Sequence, residues 1–479
     1  MLARRTMEGG NRMKLTRWLI AGVVVLSSLS PAPAVGHAQS ANLAGADGLG
    51  DPYFPQDGNG GYDVGHYEVT LGYDPAGHHL TGSTRIDAHA TQPLTAFNLD
   101  FDGPPVSAVR VNNMPAGFIR QDPHELVVTP ALPLLPGLPF TVTVEYAGVA
   151  ADTAGEGWTY APTGGAFAAG QPHSAATWYP LNDSPRDKAT FTLHTTVPAE
   201  WEVMSGGARV RDEVRDGFRT VSWEQRHPVI GYLTTVAIDR FEYLEQRRAN
   251  GTPLLSAFAP GAEELRAHEQ RLPEVLDFAE SIYGPYPFDN AGGIYLSAPL
   301  PFSLETQTRP VYADWADLNT VVHEAAHQWW GNSVSVYSWS DICLNECLAS
   351  YTADYLWPER MEGVDVDAEY RDTIRKVMDK PKFWAVPLQD PGPEKMFTSV
   401  YYRGPLFLHA LRKQLGDAVF FGALREFVTG HAYGHSSMPE FRAFMQSKSP
   451  VDLTGFFDAW LHGTTPPPDQ YLYPGGLRG

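Results

Sequence analysis

Two cysteines in 479 residues are too few for a disulfide-built scaffold, so a hydrophobic core must hold the chain together. Both, Cys343 and Cys347, lie far from the N-terminus, which excludes a lipid-modified N-terminal cysteine. Positive charge is scarce as well. The chain has 35 Lys+Arg against 55 Asp+Glu, a formal net charge of -20, with no basic cluster to offset it. Such a balance repels nucleic acid and anionic membrane surfaces, so neither is an expected partner. No apolar run reaches the about 20 residues that a membrane span requires, and no internal repeat is present. What the chain does have is 43% hydrophobic and 12% aromatic residues, the make-up of a folded protein long enough for two or three domains.

The longest apolar run, Leu19 to Leu29, follows Lys14 and Arg17 and precedes the small residues of Gly36-His37-Ala38. This order reads as a secretory signal peptide over residues 1–38, with Met13 as an alternative start. It implies a secreted or periplasmic protein with no membrane attachment after cleavage. Residues 39–61, rich in glycine, are expected to form a flexible linker.

The chemistry is concentrated between residues 317 and 358. Val321-Val322-His323-Glu324-Ala325-Ala326-His327 is an HExxH zinc signature, and after His327 come eighteen residues and then Glu346. On a helix, residues four apart lie one above the other, so His323 and His327 can face one metal ion. Glu324 sits about 100° around the helix from His323, beside the metal but not on it. Two histidines and a glutamate leave the fourth tetrahedral position to water, the arrangement of a catalytic zinc. One zinc ion is the expected cofactor, with His323, His327 and Glu346 as ligands and Glu324 as general base. Asp317 or Asn319 is placed to cap a helix running through Trp330, where Gly331-Asn332 stops it. A second helix is expected from Ile342 to Leu356, halting before Pro358.

His323 to Asn332, then Asp341 and Leu344-Asn345-Glu346, resemble the HExxHxWxGN and DxWLNEG blocks of the aminopeptidase N family of gluzincins. Leu304-Glu305-Thr306-Gln307-Thr308-Arg309-Pro310 falls where that family keeps its GxMEN exopeptidase block. Here Phe302, Leu304 and Thr306 replace the usual Gly, Met and Asn, while Glu305 is retained. Val400-Tyr401-Tyr402-Arg403-Gly404 resembles the Y-x-[KR]-G block, and Ala176 to Pro185 with Lys188-Ala189-Thr190-Phe191 resembles the segment that closes the substrate pocket. The likeness runs from about residue 60 to 470 in the family's order.

The resemblance implies a zinc aminopeptidase acting on peptides. Tyr401, three residues before Gly404, would donate to the oxyanion, with Tyr402 the less fitting neighbour. Glu305 would capture the substrate's ammonium group, and Gln171 falls near the same pocket. Asn332 and Asp341 are candidates to orient the histidines, since metal-bound imidazoles usually donate their other N–H to an oxygen. The family's usual Trp and Gly are replaced by Cys343 and Cys347. Staggered one turn apart on a regular helix, these seldom meet disulfide geometry, so buried free thiols, and with them oxidation-sensitive activity, are expected.

The implied fold is α+β and multidomain. Short alternating runs such as Tyr67 to Leu71 and Phe140 to Tyr146 point to an N-terminal antiparallel β domain over residues 62–247. The turn-forming Arg248-Ala249-Asn250-Gly251-Thr252-Pro253 marks its end. A thermolysin-like, mainly helical catalytic domain follows over residues 248–470, then a tail over 471–479. Helices are expected at Ala262 to Tyr283, Gly404 to Leu415, Ala418 to Thr429 and Pro439 to Gln446, with strands at Ile294 to Ser297 and Pro310 to Tyr312. The helical C-terminal domain of longer family members has no counterpart, which implies an open-sided site. Two rivals remain: a thermolysin-like endopeptidase, and a catalytically silent peptide-binding homologue.

Overall fold

The computed structural model describes residues 43–121 and 124–478; the expected signal peptide lies outside them. Among the described residues, no helix is long and apolar enough to cross a membrane.

The N-terminal part is built on an eight-stranded sheet. From edge to edge it runs Ala208–Arg215, Phe218–Val229, Ala189–Pro198, Tyr62–Asp74, His79–Ala90, Pro139–Val149, Val106–Val111 and Met114–Pro115. The period-two pattern read from the sequence is the pattern of burial: Tyr67, Val69, Leu71 and Tyr73 are buried, while Thr70 and Asp74 face out. The sheet is not purely antiparallel, because Tyr62–Asp74 pairs in parallel with Ala189–Pro198. The long connection between those two strands holds a three-stranded sheet, the strands Gly157–Tyr160 and Ala166–Ala169, and the loop bearing Gln171.

The turn around residue 248, expected to mark a domain boundary, lies within one sheet. Glu242–Arg247 pairs with Pro253–Phe258, and this hairpin joins Ile294–Tyr295 and Val311–Tyr312 in one four-stranded sheet. The Asn250-Gly251 turn is the hairpin's own, with Gly251 at φ +93°, and buried Arg248 is paired with Asp277 and Glu280. Strong turn chemistry marks a reversal, whether inside a domain or between two.

Two other expectations are corrected. Residues 43–61 are a fixed arm and not a flexible linker: Asp51, Asp57 and Asn59 are buried, and Asp51 accepts from Ser338 and from the Trp339 amide at 3.0 Å each. Residues 471–478 of the expected C-terminal tail are packed against the fold. Leu472 and Leu477 are buried, and the Leu472 carbonyl accepts from the Tyr370 hydroxyl at 2.6 Å.

The helical half positions the chemistry. Helices Leu272–Tyr283, Arg403–Leu415, Asp417–Gly430 and Met438–Ser447 occur close to where they are expected. The HExxH helix, Leu318–Ala326, is capped by Asp317 and is shorter than the expected span to Trp330. The next helix, Cys343–Tyr351, does not halt before Pro358. It continues through widened π turns at Thr352–Leu356 and Pro358–Glu362, whose i→i+5 spacing carries the chain past the proline. Lys188, from the N-terminal part, donates to the carbonyls of Asn332, Ser333 and Gly434 at 2.9–3.0 Å, tying the two parts together behind the site.

Candidate active site

Asp317 accepts from the Thr320 amide at 2.9 Å, and the Thr320 hydroxyl reaches back to the Asp317 amide, a reciprocal cap that fixes where the HExxH helix starts. Its last two turns then carry His323 and His327 on one face. Their Nε2 atoms are 3.1 Å apart, and Glu346 Oε2 lies 3.4 Å from the first and 3.5 Å from the second. Donors about 2.0–2.2 Å from a tetrahedral ion are separated by roughly 3.3–3.5 Å, so this triangle has the size of a zinc site. Two further observations fit. Glu346 Oε2 is buried with no hydrogen-bond donor. His327 Nδ1 faces the Trp330 carbonyl at 2.9 Å, which places its proton there and turns the Nε2 lone pair toward the other donors. Burial raises the Glu346 carboxyl, but the imidazoles outweigh it and hold the group down to about 2, ionised as a ligand must be.

Glu324 is buried beside this triangle, and burial pushes its carboxyl up to about 7. The neighbouring imidazoles oppose that shift, while Glu305 and Glu346 add to it. A carboxyl poised near neutrality can take a proton and return it. Tyr401 stands just before helix Arg403–Leu415, its ring 6.1 Å from that of His323. Burial pushes this phenol well above its ordinary range, so it is a donor that stays protonated. Tyr402 is 57% exposed and takes no part. Arg403 enters the sequence reading only as a member of its block, with no role assigned. Fully buried, it donates to the carbonyls of Trp384, Val386, Trp460 and Gly463 at 2.6–3.2 Å and so fixes the root of the tyrosine's helix.

Glu305 lies within 4.8 Å of Glu324 and His327, donor atom to donor atom. Its Oε1 accepts from the Tyr232 hydroxyl at 2.9 Å and from Gln171 Nε2 at 3.2 Å. Both donors belong to the N-terminal part, so this pocket exists only when the two parts are together. Tyr232 sits in the short turn Gly231–Leu233, and no spacing in the sequence points to it.

The two candidates for orienting histidines do other work. Asn332 Nδ2 donates to the Glu305 main-chain carbonyl at 2.7 Å and so supports the amine side of the site. Asp341 is met by Gln389 Nε2 at 3.5 Å. Among the described contacts neither side chain bonds an imidazole of His323 or His327; the one link is main-chain, from the Asn332 amide to the His327 carbonyl at 3.1 Å. Asn332 lies past the end of the metal helix at Ala326 and is no longer on its face, because the chain has already turned at Gly331, φ +119°. The cysteines are also corrected: Cys343 and Cys347 form a disulfide. Their Cα atoms are 4.8 Å apart, inside the roughly 4.4–6.8 Å range that a disulfide spans. Cys347 presses on Gly404, where an added Cβ would fall 2.5 Å from its sulfur, so the ligand-bearing helix and the tyrosine's helix touch through a glycine. A pair already oxidised offers no thiolate to peroxide.

With this geometry in view, the chain was compared with known proteins. Residues 64–233 match the Peptidase M1 N-terminal domain and residues 302–460 the Peptidase family M1 domain. The M1 zinc metallopeptidase of Deinococcus radiodurans is similar in structure, with a TM-score of 0.80 and 29% identity over 88% of this chain and 99% of that one. A mutant of that protein has been solved bound to a Tyr-Ser-Ala substrate, again at 29% identity. Aminopeptidase M1 of Arabidopsis thaliana is 23% identical over 60% of this chain and 36% of its own length. Endoplasmic reticulum aminopeptidase 1 of Homo sapiens is 23% identical over 84% of this chain and 47% of its own. The chain thus spans between about a third and a half of the length of these two curated relatives.

Proposed function

The chain belongs to peptidase family M1, the aminopeptidase N type of gluzincin, and from that premise we propose that it is a zinc aminopeptidase releasing N-terminal residues from peptides. Zinc held by His323, His327 and Glu346 would supply a Lewis acid that activates water and polarises the scissile carbonyl. Glu324 takes the proton from the attacking water and returns it to the leaving amine. Tyr401 donates to the oxygen that becomes negative. Glu305 receives the substrate's α-ammonium group, and Gln171 and Tyr232 hold that carboxylate in place, so the first peptide bond is set over the reacting groups.

The observation that carries the exopeptidase reading is the buried Glu305–Tyr232–Gln171 group within 4.8 Å of the general base. An endopeptidase has no use for a fixed negative charge at that point, and a silent homologue has no use for Glu324. Zinc-loaded protein assayed on a panel of amino-acid amides should hydrolyse those with a free amino group. It should lose that activity on chelation, regain it with zinc, and leave the acetylated counterparts intact. Equal hydrolysis of acetylated substrates would establish the endopeptidase instead.

We also propose export. The basic-then-apolar N-terminus is what a signal peptide requires, and a buried disulfide suits an oxidising compartment. N-terminal sequencing of protein recovered outside the cytoplasm should begin near residue 39; an intact N-terminus would overturn the cleavage.

A further inference from the structure

Both hydrogen-bond donors to Glu305 are backed by one segment. Residues 49–59 run along the outside of the amine pocket, upstream of both regions matched by the family. At one end, Asp51 is buried and ties two elements together. Its Oδ2 accepts from the Ser338 hydroxyl and the Trp339 amide, both at 3.0 Å, while Oδ1 accepts from the amides of Tyr53 at 2.9 Å and Phe54 at 3.3 Å. Trp339, fully buried, packs its indole against Tyr232 at 5.3 Å between ring centroids. Tyr232 is the stronger of the two Glu305 donors. At the other end, Phe54 meets the ring of His173 edge-on at 5.0 Å, and His173 Nδ1 bonds Asp57 Oδ2 at 2.8 Å. His173 is two residues from Gln171, the second donor.

The arm is itself pinned. Asn59 exchanges hydrogen bonds with Asn182 at 2.6 and 3.3 Å, Arg186 donates to the Leu49 carbonyl, and the Tyr53 hydroxyl bonds Asp390 at 2.8 Å. Because each of these partners belongs to one or the other half of the molecule, the segment bridges both. We propose that this arm is a positioning element of the amine pocket. Through Asp51–Trp339 and Phe54/Asp57–His173 it holds Tyr232 and Gln171 against Glu305, and so sets the affinity for a free α-ammonium group. Chemistry at the metal is left to other residues. The proposal rests on the aminopeptidase reading, since it concerns the pocket that reading assigns.

Asp51→Ala removes the acceptor of four hydrogen bonds at one end of the arm. Its KM for an amino-acid amide, and the dissociation constant of free L-leucine measured by calorimetry on zinc-loaded protein, should both rise about 10-fold. Turnover should stay within about twofold and zinc content at the wild-type level. Asp51→Asn, which keeps an acceptor oxygen, should recover most of the affinity. His173→Gln, at the other end, should weaken binding about threefold and serves if Asp51→Ala does not fold. A third variant, Val144→Ala in the core of the N-terminal sheet, should lower the melting temperature without moving KM. Unchanged KM and leucine affinity in folded arm variants would overturn the proposal, leaving the arm a structural strap. Loss of turnover and zinc together, with affinity intact, would overturn it in favour of a role at the Glu346 helix. If the wild-type protein hydrolyses acetylated amides as fast as free ones, the aminopeptidase reading fails first and this inference falls with it.

Discussion

The metal triangle and the amine pocket share one cleft, but they are assembled in opposite ways. His323, Glu324, His327 and Glu346 come from two helices consecutive in the chain, so local periodicity alone nearly determines their geometry. The amine pocket gathers Glu305, Tyr232 and Gln171 from three separated segments, with a fourth, the arm at residues 49–59, behind them. A locally built site persists if its helices persist. A site built from distant segments depends on how the two halves of the protein are held, and its loss should appear as weaker binding rather than slower chemistry.

Variants of the metal side should therefore act on turnover. Glu324→Gln removes the base while keeping the shape, and kcat should fall about 10³-fold with zinc retained. Tyr401→Phe removes one oxyanion donor and should lower kcat about 10²-fold, whereas Tyr402→Phe, at an exposed position, should change nothing. Steady-state kinetics alongside zinc analysis checks both; a rise in KM at constant kcat in either variant would erase the division of labour. On the other side, Tyr232→Phe deletes the 2.9 Å bond to Glu305 and should raise KM about fivefold with kcat nearly unchanged. If kcat fell instead, Tyr232 would belong with the metal side.

The smallest effect expected is on stability, and it belongs to the frame behind the amine pocket. Asp183 and Asp187 are buried, and burial pushes both carboxyls up to about 8, helped by neighbouring carboxylates. A carboxyl whose folded pKa lies above its unfolded value near 3.9 favours the folded state most at low pH, and that contribution is lost as pH rises from about 4 to about 8. The melting temperature should fall by on the order of 5 °C between pH 5 and pH 8, and Asp187→Asn should flatten that slope. A melting temperature that rises over this interval would show that these groups ionise freely in the fold.

The same contrast explains what could be read from the sequence. The HExxH spacing, the Asp317 cap and the alternation in Tyr62–Asp74 are local patterns, and the corresponding elements stand close to their expected places. Family likeness extended the reading to Glu305, Gln171 and Tyr401, which the structure brings to one cleft. Tyr232, and the roles of Arg403 and the arm, were invisible, because each role is acquired through partners far away in the chain. Glycine and polar content made residues 39–61 look like a linker, although Asp51, Asp57 and Asn59 of that segment are buried polar anchors. Asn332 was misread for a related reason: its place in a motif says that it matters, not that it turns toward the histidines rather than toward Glu305. The disulfide escaped because a regular helix was assumed where the turn brings two Cα atoms to 4.8 Å.

The division between the two sites is tested most directly by Glu305→Gln, assayed on one peptide in free and N-acetylated form. The wild-type protein should cleave only the free form. The variant should lose about 10²-fold in kcat/KM on it, mostly through KM, with zinc content unchanged. Undiminished cleavage of the free peptide by the variant, or equal cleavage of both forms by the wild type, would contradict the assignment of Glu305 as the amine anchor.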